Sequence, residues 1–147
     1  MAENTSSKTR KIERQLDSVL ESADEAEQLA IEAARAAGFS EDDLHRIGMA
    51  VRESIVNAVV HGNRYNARKK VHFVVSGAPG TISVTVGDEG EGFDPSRLPD
   101  PVAERNLLQQ SGRGIFLMRA FMDRFEIRPR AMGGTEVELV KYQGGKP

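Results

Sequence analysis

The sequence contains no cysteine, which excludes a disulfide framework, a thiol nucleophile and a Cys-based zinc site together. Excess charge is nearly absent as well. The formal net charge is −2 at pH 7, so neither the electrostatic footprint of a nucleic-acid binder nor a basic face for a membrane is expected. No apolar run approaches membrane-spanning length. Residues Met1 to Lys8 are small and polar, unlike the apolar centre of a signal peptide. The expected location is the cytoplasm, with no membrane partner and no direct nucleic-acid partner.

What remains is ordinary soluble composition: 147 residues, 39% hydrophobic and 29% charged. That length suits one domain able to bury a core without staples. Residues 1–9 read as a disordered tail, 10–142 as the domain and 143–147 as a C-terminal tail. Ile12, Leu16, Val19 and Leu20 leave helix and strand both open, and a strand near 10–17 is the reading adopted. Ser22 to Ala37 is rich in Ala, Glu and Leu and predicts a helix stopped by Gly38. A second helix opens at Ser40, with Asp43 resembling a capping box, and runs to about His61.

Val71–Ser76 and Thr81–Asp88 predict strands, joined through Ala78 and Pro79 between Gly77 and Gly80. In the second run Ile82, Val84 and Val86 alternate with Thr81, Ser83 and Thr85, as one covered face requires. A loop rich in Gly and Pro then extends from Gly87 to about Ser111, long enough to suggest a lid. A helix from Gly114 to about Met122 follows, then strands Arg124–Arg128 and Thr135–Lys141 around a turn at Gly133 and Gly134. The predicted fold class is α+β: a two-layer sandwich with a mostly antiparallel, mixed sheet and helices on one face.

The Ser40–His61 helix carries the most information. Ile47, Val51, Ile55, Ala58 and Val59 share one apolar face, and Met49, Val56 and Val60 lie on the other side. Between them run Glu53, Asn57 and His61 at spacings of four. A carboxylate in a partly covered groove is costly unless paired or used. The line is either a solvated stripe, with Asn57 and His61 capping nearby backbone, or a surface facing a polyphosphate and its metal. Mg²⁺ prefers hard oxygen donors and usually keeps several waters, so one or two protein oxygens suffice.

Two glycine loops bear on that choice. Asp88-Glu89-Gly90-Glu91-Gly92-Phe93 follows a strand directly. There an acceptor-only carboxylate can take a hydrogen bond from an exocyclic amine while glycines admit a flat ligand. Ser111-Gly112-Arg113-Gly114 opens a helix, where backbone amides form an anion site. Either could be an ordinary turn. Together with Gly134-Thr135 at a strand start, four segments stand in an order that coincidence does not readily produce.

That order resembles the Bergerat-fold (GHKL) ATPases shared by histidine kinases, gyrase and MutL. Within them the chain is most similar to the stand-alone anti-sigma-factor serine/threonine kinases. Asn-Ala-Val-Val-His-Gly-Asn at Asn57–Asn63 and Ser-Gly-Arg-Gly-Ile-Phe-Leu-Met at Ser111–Met118 carry the resemblance, which extends from about Arg10 to Tyr142.

The resemblance implies that Glu53 is the general base and that Asn57 binds Mg²⁺. It implies that Asp88 reads the adenine of ATP with Thr135 supporting the same ring. Gly90, Gly92 and Phe93 belong to the nucleotide loop, and Gly112 and Gly114 lie by the phosphates with Arg113 neutralising charge. His61 and Asn63 match as phosphate-side residues or as structural caps. The lid, Pro95 to Gln110, is short and Pro-rich, and Arg105 and Arg113 are the candidates for a γ-phosphate contact. His45 reads as a surface residue rather than a phosphoacceptor.

By resemblance, the expected function is ATP-dependent phosphorylation of Ser or Thr on a STAS-type anti-sigma-factor antagonist, coupled to sequestration of a sigma factor. A homodimer is consistent with relatives of this kind. The alternatives are a nucleotide-gated binding switch without phosphotransfer, a detached histidine-kinase catalytic domain, and a shape-changing ATP hydrolase.

Overall fold

Alternation of apolar and polar residues gives the central strands one buried face each, and that face assembles the domain. The computed structural model describes residues 10–90 and 114–144. Along the chain come β1 (Arg10–Asp17), α1 (Ser22–Ala36), α2 (Glu41–Asn57), a π-helical turn (Ala58–Gly62), β2 (Lys70–Ala78) and β3 (Thr81–Gly87). After the segment outside the described residues come α3 (Gly114–Phe121), β4 (Arg124–Pro129) and β5 (Thr135–Tyr142). The five strands form one sheet in the order β1-β2-β3-β5-β4.

All four pairings among the described residues are antiparallel, in keeping with the mostly antiparallel sheet expected. The reason lies in the connections. Between β1 and β2 stand two helices joined by a short turn, and two such helices return the chain to the end it left. The next strand then runs opposite to the first. The β2–β3 hairpin is also tighter than expected. Gly77 and Ala78 belong to β2, Ala78 pairs with Thr81, and only Pro79 and Gly80 turn, with Gly80 at φ +78°.

Phe73, Val75, Val84, Val86 and Leu139 of the sheet share one core with Ile47, Val51, Ile55 and Val59 of the helical layer. Each such large side chain contributes about 1.5–3 kcal/mol by leaving water. The residues that helix α1 buries fully in that core are small, Ala23, Ala26, Ala30, Ala33 and Ala34, with Leu29 and Ile31 packed against its edge. It ends as predicted at Gly38: Phe39 N–H reaches Ala34 O at 3.2 Å and Gly38 N–H reaches Arg35 O at 3.1 Å. Ser40 caps α2 by accepting from Asp43 N–H at 3.3 Å. Arg52 ties α2 to α1 through Asp24 at 2.6 Å and Glu27 at 2.9 Å.

Helix α2 does not continue to His61 as one α-helix. After Asn57 it widens, and Asn63 N–H bonds Ala58 O, five residues back, at 2.7 Å. The wide turn is held from outside. Asn63 is buried, and its Nδ2 donates to Ser18 Oγ at 2.9 Å and to Lys70 O at 3.0 Å. Its Oδ1 accepts from Glu89 N–H at 2.7 Å. Gln143, expected at the start of the C-terminal tail, is also tied down: its N–H bonds Gly80 O at 2.8 Å and its amide donates to Gly38 O at 3.1 Å. Among the described residues no helix is long and apolar enough to cross a membrane.

Candidate functional site

Two clusters of the sequence-predicted residues form, both along α2 and its π turn. The first joins Glu53 and Asn57 on α2 to Gly114 at the start of α3. A Cβ on Gly114 would lie 2.9 Å from Glu53 Oε2 and 3.4 Å from Asn57 Nδ2, so the α3 backbone lies directly against both side chains. Helix α3 is held there by burial of Ile115 and Met118, whose sulfur lies 2.8 Å from Ser54 Oγ. Asn57 Nδ2 is buried and has no hydrogen-bond partner among the described residues. A buried unpaired amide is costly, and amide oxygen and nitrogen exchange places by a simple flip. The atom at that position is therefore available to a ligand. Among the described residues no hydrogen bond orients the Glu53 carboxylate.

The second cluster surrounds Asp88, at the end of β3. Asp88 is only 7% exposed. Its Oδ1 accepts from Gly90 N–H at 2.9 Å and from Thr135 N–H at 3.2 Å, and its own N–H donates to Thr135 O at 2.9 Å. Burial pushes its carboxyl pKa above the ordinary value, while the two backbone donors, Arg130 and Lys69 oppose that shift. Gly62 of the π turn abuts the same carboxylate so closely that a Cβ there would overlap it. The π turn thus delivers bare backbone to Asp88, and Asn63 beneath it holds that backbone in place.

Asn63 itself presents no free amide: its polar atoms are spent on Ser18, Lys70 and Glu89. His61 lies half-buried on the π turn. Gly92, Phe93, Gly112 and Arg113 lie outside the described residues, as do Arg105 and the predicted lid. Sequence reasoning missed four groups beside Asp88. Glu89 Oε2 lies 2.6 Å from His72 Nε2, and Arg130 and Lys69 bring positive charge to Asp88. Glu89 stood inside the quoted motif, but its partner on β2 becomes visible only through the strand register.

The family model described as the histidine kinase-like ATPase domain matches residues 16–141. The chain belongs to this family. Curated relatives include anti-sigma F factors of Bacillus thuringiensis, Bacillus cereus and Bacillus anthracis, each 33% identical over 104 residues, covering 69% of this chain and 70% of theirs. Among solved structures, one of the RsbU and RsbW domains of a Mycobacterium tuberculosis protein is similar in fold, with TM-score 0.63 and 20% identity. That match covers 90% of this chain and 32% of the other, so the chain spans about a third of that protein's length.

In a histidine kinase-like ATPase domain the expected ligand is ATP, and the residues present suit it. Asp88 supplies a buried acceptor for an amine, and Asn57 supplies an amide that is unpaired among the described residues. The α3 start supplies backbone close to both Asn57 and Glu53.

Proposed function

We propose that this protein is an ATP-dependent serine/threonine protein kinase acting as an anti-sigma factor, which phosphorylates a STAS-type antagonist and sequesters a sigma factor. The observation that carries the reading is the buried amide nitrogen of Asn57, unpartnered among the described residues, beside the Glu53 carboxylate, both under the α3 backbone at Gly114. An oxygen and a carboxylate held together in a covered groove suit phosphoryl transfer, which needs positioning and charge compensation above all. The anti-sigma F factor relatives support the choice of partners.

In this mechanism Asp88 accepts a hydrogen bond from the adenine amine and anchors the base. Asn57, with its amide oxygen turned inward, is the residue that would hold Mg²⁺. When bound, that ion supplies compensation for the phosphate charge. Among the described residues no group of three His, Asp or Glu is placed to hold a metal alone, so nucleotide oxygens and water would complete its shell. Glu53 accepts the proton of the incoming seryl or threonyl hydroxyl as its oxygen bonds the γ-phosphorus and the bond to ADP breaks. The proton then passes to solvent.

A nucleotide-gated binding switch without phosphotransfer is the second reading. It is favoured by the Glu53 carboxylate having no orienting hydrogen bond among the described residues, since catalytic bases are usually held by a third group. Purified protein incubated with Mg-ATP and the antagonist encoded by the source organism separates the two. Phosphoserine or phosphothreonine on the antagonist, present with wild type and absent with Glu53→Ala, supports the kinase. Nucleotide-dependent binding with no phosphate transferred supports the switch.

A further inference from the structure

Along β3 and its exit, successive side chains alternate between the two faces of the sheet. Gly87 points to the outer face, Asp88 inward to the core and the site, and Glu89 outward again. Opposite Gly87 on β2 stands His72. Gly87 has no side chain to occupy the outer face between them, and His72 reaches past it to place Nε2 2.6 Å from Glu89 Oε2. Both side chains are partly covered, 25% and 31% exposed. Arg130, from the turn after β4, packs over the same place: a Cβ on Gly87 would lie 3.1 Å from its Cδ.

The chain leaving β3 is thus gripped at every residue. Asp88 N–H donates to Thr135 O at 2.9 Å, and the Asp88 carboxylate accepts from Thr135 N–H at 3.2 Å. Glu89 N–H is held by buried Asn63 at 2.7 Å, and Gly90 N–H closes on Asp88 Oδ1 at 2.9 Å. On the outer face His72 holds the Glu89 carboxylate, with the Lys70 backbone N–H and the Arg130 guanidinium beside it.

We infer that His72 and Glu89 form a strut behind the nucleotide-reading carboxylate and are positioning residues that set how sharply Asp88 discriminates adenine from other purines. The inference rests on the reading of Asp88 given above and deepens it. Neither residue touches the nucleotide. Their hydrogen bond fixes the backbone from which Asp88 projects, so that one carboxylate oxygen stays on Gly90 and Thr135 while the other keeps a constant direction into the site. With the strut cut, the carboxylate can rock. A directional bond to an exocyclic amine then weakens, whereas contacts that do not depend on that direction survive.

The test compares ADP with inosine diphosphate, which carries a carbonyl in place of the adenine amine, by calorimetric titration. Wild type is expected to prefer ADP. His72→Ala and Glu89→Ala should each lower ADP affinity roughly tenfold while changing inosine diphosphate affinity less than about twofold, and the double variant should lose no more than either single one. Glu89→Gln keeps an oxygen to meet the imidazole and should restore most of the discrimination.

Equal loss for both nucleotides would mean a merely structural role and would overturn the strut. Unchanged ADP affinity, or additive losses in the double variant, would overturn it too. A wild type that binds ADP and inosine diphosphate equally would instead overturn the reading of Asp88 itself, whatever the variants do.

Discussion

Asp88 and Glu89 are neighbours in sequence that face opposite sides of the sheet, and their carboxyl pKa values are displaced in opposite directions. Burial raises that of Asp88. The hydrogen bond from His72 is the largest cause lowering that of Glu89. One turn of the backbone thus carries an acid that folding makes reluctant to ionise and another that folding keeps ionised. The first faces the candidate site, and in the strut proposed above the second braces it from behind.

For Asp88, a raised folded pKa means that its contribution to stability is full below the ordinary carboxylate value of about 4 and is lost as pH rises through the folded value. Asp88→Asn should therefore melt at a higher temperature than wild type at pH 7, with the gap closing as pH falls toward about 4. The same variant should lose about 100-fold in ADP affinity, because an amide donor would meet the adenine amine. Thermal melts across pH and calorimetry check both. A lower melting temperature at pH 7 would mean that the bonds from Gly90 and Thr135 outweigh the cost of burial.

The sign reverses for Glu89. Its lowered folded pKa gives stability that is present above the ordinary carboxylate range and disappears as pH falls through the depressed value. Glu89→Gln should be less stable than wild type at pH 6, and the two should converge in acid. The residue is partly exposed, so the difference is small and is read best as a change in the slope of stability against pH.

Gly114→Ala places a methyl 2.9 Å from Glu53 Oε2 and 3.4 Å from Asn57 Nδ2. The carboxylate must turn away. Phosphotransfer should fall by about 100-fold while the melting temperature changes little, since alanine is a good helix former. Measuring kcat beside a thermal melt separates the two effects, and a large drop in melting temperature would contradict the prediction.

Asn63→Ala removes the side-chain bonds to Ser18, Lys70 and Glu89 from a residue that is 2% exposed. Urea unfolding should report a loss of about 3 kcal/mol, since buried partners are left unpaired. Nucleotide binding should weaken as well, because the same amide holds the π turn against Asp88. Stability retained within error would show that the turn is fixed by other contacts.

Arg64 has a left-handed backbone, φ +52°, on an exposed loop. Glycine tolerates that region without the Cβ penalty, so Arg64→Gly should stabilise the fold by about 0.5 kcal/mol in urea melts, the gain being trimmed by glycine's greater unfolded-state freedom. Destabilisation instead would reveal a contact of the arginine side chain that outweighs the backbone strain.

Much of this was legible in the sequence. The alternation in Thr81–Asp88, the cap at Ser40 and the stop at Gly38 are local signals, and each appears as read. Of the candidate site, the part carried by spacing on one element was legible: Glu53 and Asn57 share a helical face because four residues make about one turn. By itself, then, the sequence determined the elements, the apolar faces and the family. The widening of the helix after Asn57 and the pairing of His72 with Glu89 were decided by tertiary structure alone. Each depends on groups distant in the chain, Asn63 with Ser18 or β2 with β3, and a hydrogen bond between distant residues leaves no periodic trace in the sequence that forms it.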